Sequence, residues 1–219
     1  MSRKKEGRFA LNRVLPNVLE EGKPLFETIK GKWNDIMFEK RQPIVLELGC
    51  GKGEYTVGLA QVFPDKNFIG IDIKGDRIAV GAKFANENSL TNVAFLRIKI
   101  HQLLDFFEEN EVDEIWITFP DPQPLKSGIK RRLTNPRFLE LYKHALKSDG
   151  LLHLKTDSTL LFDYTLEVLP EFGVEELIYT KDLYTSELNV RHHGIKTRFE
   201  QIFTEKGYNI NYLSTRFKV

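Results

Sequence analysis

The chain has 219 residues, 41% of them hydrophobic and 29% charged, values ordinary for a folded protein and enough for one sizeable α/β domain. A formal net charge of +1 excludes a globally basic nucleic-acid binder but leaves room for local basic patches. The single cysteine, Cys50, rules out an internal disulfide; no apolar run has membrane-spanning length, and the charged start "MSRKKEGRFALNR" lacks a signal-peptide core, so a soluble cytoplasmic protein is expected.

Arg3, Lys4, Lys5, Arg8 and Arg13 mark residues 1–23 as a basic N-terminal arm, predicted mobile, ahead of a single domain over residues 24–219. Residues 24–38 space Leu25, Ile29, Trp33, Ile36 and Met37 at helical intervals, which predicts a packing helix that tolerates Gly31. From Ile44 the chain alternates. "IVLELG", "NFIGID", "VAFLRI", "DEIWITF" and "GLLHLKT" read as buried strands, with helices between them. Two of the helices carry clear caps: Asn135 before Pro136, and Ser158 before "TLLFDYTLEVL". This rhythm predicts a mostly parallel sheet with helices on both faces. "VEELIYT" and "EQIFTEKGYNINYL" then read as two last strands, with antiparallel pairing at the "EKGY" turn, for seven strands in all.

"ELGCGKGEY" leaves the first of these strands and opens a helix. Gly49, Gly51 and Gly53 let the backbone turn sharply and let a ligand lie against it. Asp72 ends the next strand, where a carboxylate can accept from both ribose hydroxyls of a nucleoside. Glu47 at the loop entrance would repel a pyrophosphate and suits a cationic ligand better. A ribose beside an ammonium or sulfonium is the chemistry of S-adenosylmethionine. The alternative is a plain strand-to-helix turn with glycines used for packing.

"FPDPQPLKSGIKRRL" leaves the fourth strand at its carboxyl end, the edge at which open α/β sheets bind ligands. Pro120 and Pro122 stiffen the chain on either side of Asp121, which should face the crevice of Glu47 and Asp72. Behind it, Lys126, Lys130, Arg131 and Arg132 form either a solvated loop or a phosphate clamp for RNA. His192 and His193 stand together without further ligands in sequence, so no metal site is expected.

"ELGCGKGEY", "GIDIK", "FPDP", "KRRLTNPRFLE", "LKTDS" and "TRFEQ", in this order, resemble the bacterial tRNA (guanine-N7)-methyltransferases, a family of Rossmann-like class I methyltransferases. The resemblance implies transfer of a methyl group from S-adenosylmethionine to N7 of a guanine in the tRNA variable loop. It implies cofactor contacts at Glu47, Asp72 and Asp121, with Asp121 as the catalytic residue. Asp157, Thr197, Arg198, Phe199 and Glu200 would contact the guanosine. The chain departs from the family pattern at Gln123, where Trp is usual, at Leu125, often Lys, and at Lys99, where an acidic or amide residue is typical; contacts at these positions do not carry over. The alternatives are a tRNA-binding module with weakened catalysis, or a methyltransferase of the same fold acting on a small molecule or a protein. The basic segments argue against the second, and the retention of both Glu47 and Asp72 against the first.

Overall fold

The computed structural model describes residues 3–218. In chain order its main elements are α1 (Arg3–Val14), β1 (Val18–Leu19), β2 (Ile44–Leu48), α2 (Glu54–Val62), β3 (Asn67–Ile71), α3 (Gly75–Glu87), β4 (Val93–Leu96), α4 (Leu103–Phe106), β5 (Val112–Thr118), α5 (Pro136–Ala145), β6 (Leu146–Thr156), α6 (Thr159–Val168), β7 (Val174–Thr180), α7 (Arg198–Glu205) and β8 (Asn211–Phe217). The strands form one eight-stranded sheet in the order β1-β4-β3-β2-β5-β6-β8-β7. Pairing is parallel from β1 through β6, and β8 runs antiparallel to both its neighbours.

The two-residue period of the strands sorts the core into two layers. Ile44, Leu46 and Leu48 of β2, Ile115 and Ile117 of β5, and Leu152 and Leu154 of β6 pack towards α4, α5 and α6. Val45, Phe68, Phe95, Trp116 and Tyr212 pack towards α1, α2 and α3. Glu47, Thr118, His153 and Lys155 alternate with the first set, so they fall on the α2 face, and all four are buried. A band of polar groups thus runs beneath that face, ending at the carboxyl edge of the sheet.

Three segments differ from the sequence expectation. The basic arm is built as α1 and β1, residues 1 and 2 lying outside the described part. Asn12 is buried and its Nδ2 donates to the Gly75 carbonyl at 2.8 Å, Arg97 lies 4.9 Å from the Phe9 ring, and Val18 and Leu19 pair with Phe95 and Leu96. Apolar side chains at Leu11, Leu15 and Val18 anchor what the charge pattern had marked as solvated.

Residues 24–38 form turns and one π-helical turn, Trp33–Met37, in place of a regular helix. Gly31 has φ of +71°, which ends any helix there. Trp33 stacks on Phe107 and its indole N–H donates to the Phe106 carbonyl at 2.9 Å, so a distant segment decides the local shape.

Finally, the last predicted strand is half helix. Residues 198–205 are α7, and only Asn211–Phe217 pairs in the sheet, next to β7 across a long connection. Thr197 and Glu200 form a reciprocal cap that starts α7, each side chain accepting from the other's backbone N–H.

Candidate active site

The glycine loop joins β2 to α2. Gly49, Gly51 and Gly53 have φ of +76°, +56° and +72°, which side chains adopt only under strain. At Gly53 a Cβ would also come within 2.5 Å of the Phe95 ring, so glycine is required there twice over. Asp72 pins the loop from β3: its two carboxylate oxygens accept from Gly51 N at 2.9 Å and Lys74 N at 2.8 Å.

Glu47 is buried, and its carboxylate is held in place. One oxygen accepts from the Thr118 hydroxyl at 2.6 Å; the other accepts from Thr56 N at 2.8 Å and from the Thr56 hydroxyl. Burial pushes its pKa up to about 7; the Thr118 and Thr56 hydrogen bonds oppose the shift, and the Asp72 charge adds slightly to it. The buried thiol of Cys50 is pushed well up by the same burial and by the Glu47 and Asp72 carboxylates, which disfavours its thiolate.

The Asp121 segment begins and ends on backbone strain. Phe119 and Gln123 have φ of +48° and +46°, unusual for side-chain-bearing residues. Asp121 is exposed, and its Oδ1 accepts from Gln123 N at 3.0 Å. Gln123 is the hub of this turn: its carbonyl accepts from Arg132 Nη2 at 3.2 Å and its Oε1 from Arg131 Nε at 2.9 Å.

Arg132, expected at an RNA phosphate, is placed against the turn. It is 5% exposed, its Nε donates to the Pro122 carbonyl at 3.1 Å, and its guanidinium lies 4.5 Å from the Tyr164 ring. It holds the turn from behind, while Lys126, Lys130 and Arg131 are exposed.

The opposite wall is the start of α7. Phe199 is 56% exposed, and Arg198 N donates to Glu54 Oε2 at 2.8 Å, tying α7 to α2. Glu200, expected at the guanosine, is fully buried beside this wall. Its Oε1 takes Lys155 Nζ at 2.9 Å and the Tyr184 hydroxyl at 2.6 Å, and its Oε2 takes Thr197 N at 3.3 Å.

Between these walls lies a cleft of about 350 Å³. Glu47, Gly49, Gly51, Thr118 and Phe119 face it from one side, and Thr197, Arg198 and Phe199 from the other. Its open glycine backbone leaves room for a nucleoside, and its lining carries both signs of charge, Glu47 and Glu54 against Lys52, Arg77 and Arg198. Gly53, Asp72, Asp121, Asp157 and the loop cations stand outside the cleft lining. Asp157 follows β6 at the same sheet edge, and burial raises its carboxyl above the usual range. Lys99 is exposed beyond β4, its N–H donating to Gln102. Thr118, Lys155 and Tyr184 went unrecognised in sequence; a lone lysine inside the apolar run "GLLHLKT" was the available signal for one of them.

The family described as "Putative methyltransferase" matches residues 41–213. A tRNA (guanine-N(7)-)-methyltransferase of Cytophaga hutchinsonii is 44% identical over 219 residues, covering 99% of each chain. One of Christiangramia forsetii is 49% identical, covering 100% of this chain and 99% of its own. Among solved structures, the 16S rRNA methyltransferase KamB has a TM-score of 0.61 at 15% identity, covering 84% of this chain and 90% of its own. The [4+2]-cyclase SpnF has a TM-score of 0.56 at 18% identity, covering 81% and 76%. Those two share only the fold, the Rossmann-like one of class I methyltransferases, and the fold does not choose a substrate. The full-length relatives decide the family: the chain belongs to the tRNA (guanine-N(7)-)-methyltransferases.

Proposed function

We propose that this chain transfers a methyl group from S-adenosylmethionine to N7 of a guanine in the variable loop of tRNA. One observation carries the assignment: two tRNA (guanine-N(7)-)-methyltransferases align with 99% and 100% of the chain, and so with nearly all the segments that wall the cleft. The cofactor, when bound, supplies a methyl already activated by a sulfonium. Guanine N7 offers a lone pair and no proton, so the residues need supply no general base. Their work is to align the base and exclude water.

The glycine loop and Asp72 would hold the nucleoside of the cofactor. Each Asp72 oxygen takes one backbone N–H in the structure and keeps further lone-pair sites for ribose hydroxyls. Glu47, with Thr118 and Thr56 fixing its orientation, would face the positive charge of the cofactor.

Asp121 would accept from the guanine N1–H and N2–H₂ edge, which both orients the ring and stabilises its developing positive charge; Asp157 is the other candidate for that contact. Adenine presents the wrong groups on this edge. Phe199 offers a face on which a base can stack, and Thr197 and Arg198 flank it. Lys126, Lys130 and Arg131 would take RNA phosphates. Arg132 and Glu200 would act through the turn and the helix they hold.

This chemistry needs no metal, no membrane and no obligatory protein partner, and it suits the cytoplasm. The test is methyl transfer from labelled cofactor to unmodified tRNA, followed by mapping of the modified base. Label at guanine N7 is expected, and label at another atom or none at all would refute the assignment.

A further inference from the structure

The geometry points to Lys155 as a positioning residue: its backbone carbonyl holds the Asp121 turn and its buried ammonium holds the first turn of α7, so that one residue sets both walls of the cleft. The inference rests on the assignment of that cleft as the methyl-transfer site. Lys155 lies near the end of β6 and is fully buried. Its carbonyl accepts from Phe119 N at 2.8 Å, at the strained residue where the Asp121 turn begins. On the side-chain end, Nζ lies 2.9 Å from Glu200 Oε1 and donates to Glu200 Oε2 at 3.1 Å.

Glu200 in turn closes the cap with Thr197, and the Tyr184 hydroxyl donates to it at 2.6 Å. The chain of contacts ends on Thr197, Arg198 and Phe199, which face the cleft. The Lys155 ammonium does not line the cleft: Nζ lies 4.8 Å from the Tyr55 ring and 5.9 Å from that of Phe119, and it donates to the Ile195 carbonyl at 3.5 Å.

A buried ion pair is a poor stabiliser, because desolvating two charges offsets most of their attraction, and an apolar pair of similar volume often does as well. What the pair supplies here is direction. A carboxylate clamped by an ammonium, a phenol and a backbone amide has one orientation, and the helix cap built on it inherits that orientation. An apolar pair would fill the same space and leave Thr197 without its reciprocal partner.

Lys155→Met tests this, since it removes the ammonium, keeps most of the volume and leaves the β6 backbone bond to Phe119 in place. In protein shown folded by circular dichroism, hydrogen exchange at the Glu200 and Gln201 amides should accelerate about tenfold or more, while exchange at Phe119 stays put. Single-turnover methyl transfer at saturating tRNA and cofactor should slow about tenfold or more, with tRNA affinity within about threefold of wild type. A rate within about threefold of wild type, or unchanged exchange at the two amides, would overturn the inference.

Exchange is read without tRNA. An inactive wild-type protein would therefore sink the methyl-transfer assignment while leaving the positioning role of Lys155 to be judged by the amides alone. Should Lys155→Met fail to fold, Tyr184→Phe removes one hydrogen bond to Glu200 and spares the charge pair. The same two amides should then quicken about threefold, and no change in them would count against the inference.

Discussion

Arg132 separates two uses of a cation that the sequence cannot tell apart. If it is a strut, Arg132→Ala removes two charge-assisted hydrogen bonds, to the carbonyls of Pro122 and Gln123, and a contact with the Tyr164 ring. Such bonds are worth about 1.5–3 kcal/mol each when buried. Both acceptors belong to half-exposed residues that water can reach in the variant, so about 2 kcal/mol for the set is the better figure. Taken from the ordering of Asp121, that is about a thirtyfold fall in single-turnover rate at saturating tRNA. Affinity for tRNA should barely change, and the slope of log K against log salt should stay as in wild type. Lys126→Ala/Lys130→Ala, at two exposed lysines whose side chains make no bond to the turn, provides the contrast: its slope should flatten by somewhat under one unit per lost phosphate contact, at little cost in rate. A flattened slope with a normal rate in Arg132→Ala would refute the strut and return Arg132 to the RNA.

Asp121→Asn keeps the shape of the turn but removes the charge and turns an acceptor into a donor; kcat should fall about a hundredfold, and a rate within about threefold of wild type would move the role to Asp157. Asp72→Ala should weaken cofactor binding by about 2 kcal/mol or more in calorimetry and lengthen the glycine loop's contacts, since Gly51 and Lys74 lose their shared acceptor. The Glu47 carboxyl is raised to about 7, so its contribution to fold stability is present in full below the ordinary carboxylate value and is lost as pH rises through about 7. A cationic cofactor prefers the ionised form, so binding should tighten from pH 6 to pH 8 by about tenfold, and Glu47→Gln should abolish that pH dependence.

The legible parts of the chain are those whose signals are local. Asn135 before Pro136, Ser158 ahead of α6, and the apolar strands of the parallel sheet each carry their cause within a few residues, and all form as expected. Glu47, Asp72 and the three glycines come to one strand edge because the topology, itself legible, brings them there. Trp33 behaves otherwise: its helical spacing is real, but it packs on Phe106 and Phe107, far along the chain, and Gly31 interrupts the run.

Arg132 looks like its neighbours Lys130 and Arg131 in sequence, and its burial, its bonds to the Pro122 and Gln123 carbonyls and the Tyr164 ring distinguish it only in the fold. The start of α7 is a different kind of miss. Thr-x-x-Glu is a capping signature that was open to view, and Phe199, Ile202 and Phe203 after it have the i, i+3, i+4 spacing of a helix, so the strand reading overlooked a local signal. The burial of Glu200 could not be seen at all without Lys155 placed beside it.

The two ends of the sheet bear on how the protein behaves in a crowded solution. A free strand edge is a row of unpaired amides and carbonyls open to another chain. Here one edge is β1, only two residues long, contributed by the segment whose charge suggests an arm. The other edge, β7, is irregular between Glu175 and Ile178: Glu176 sits at φ of +51° and pairs with Arg216 at 2.9 Å, and Glu175 and Glu176 are both exposed. One edge is too short to recruit a neighbouring strand, and the other is bent and charged. Removing residues 1–23 would take away β1 and uncover β4, whose Val93, Phe95 and Leu96 are buried. Val18 and Leu19 thus cover an edge of β4 that would otherwise be open to a neighbouring chain, and a protein trimmed of them is expected to self-associate more readily, which light scattering would show.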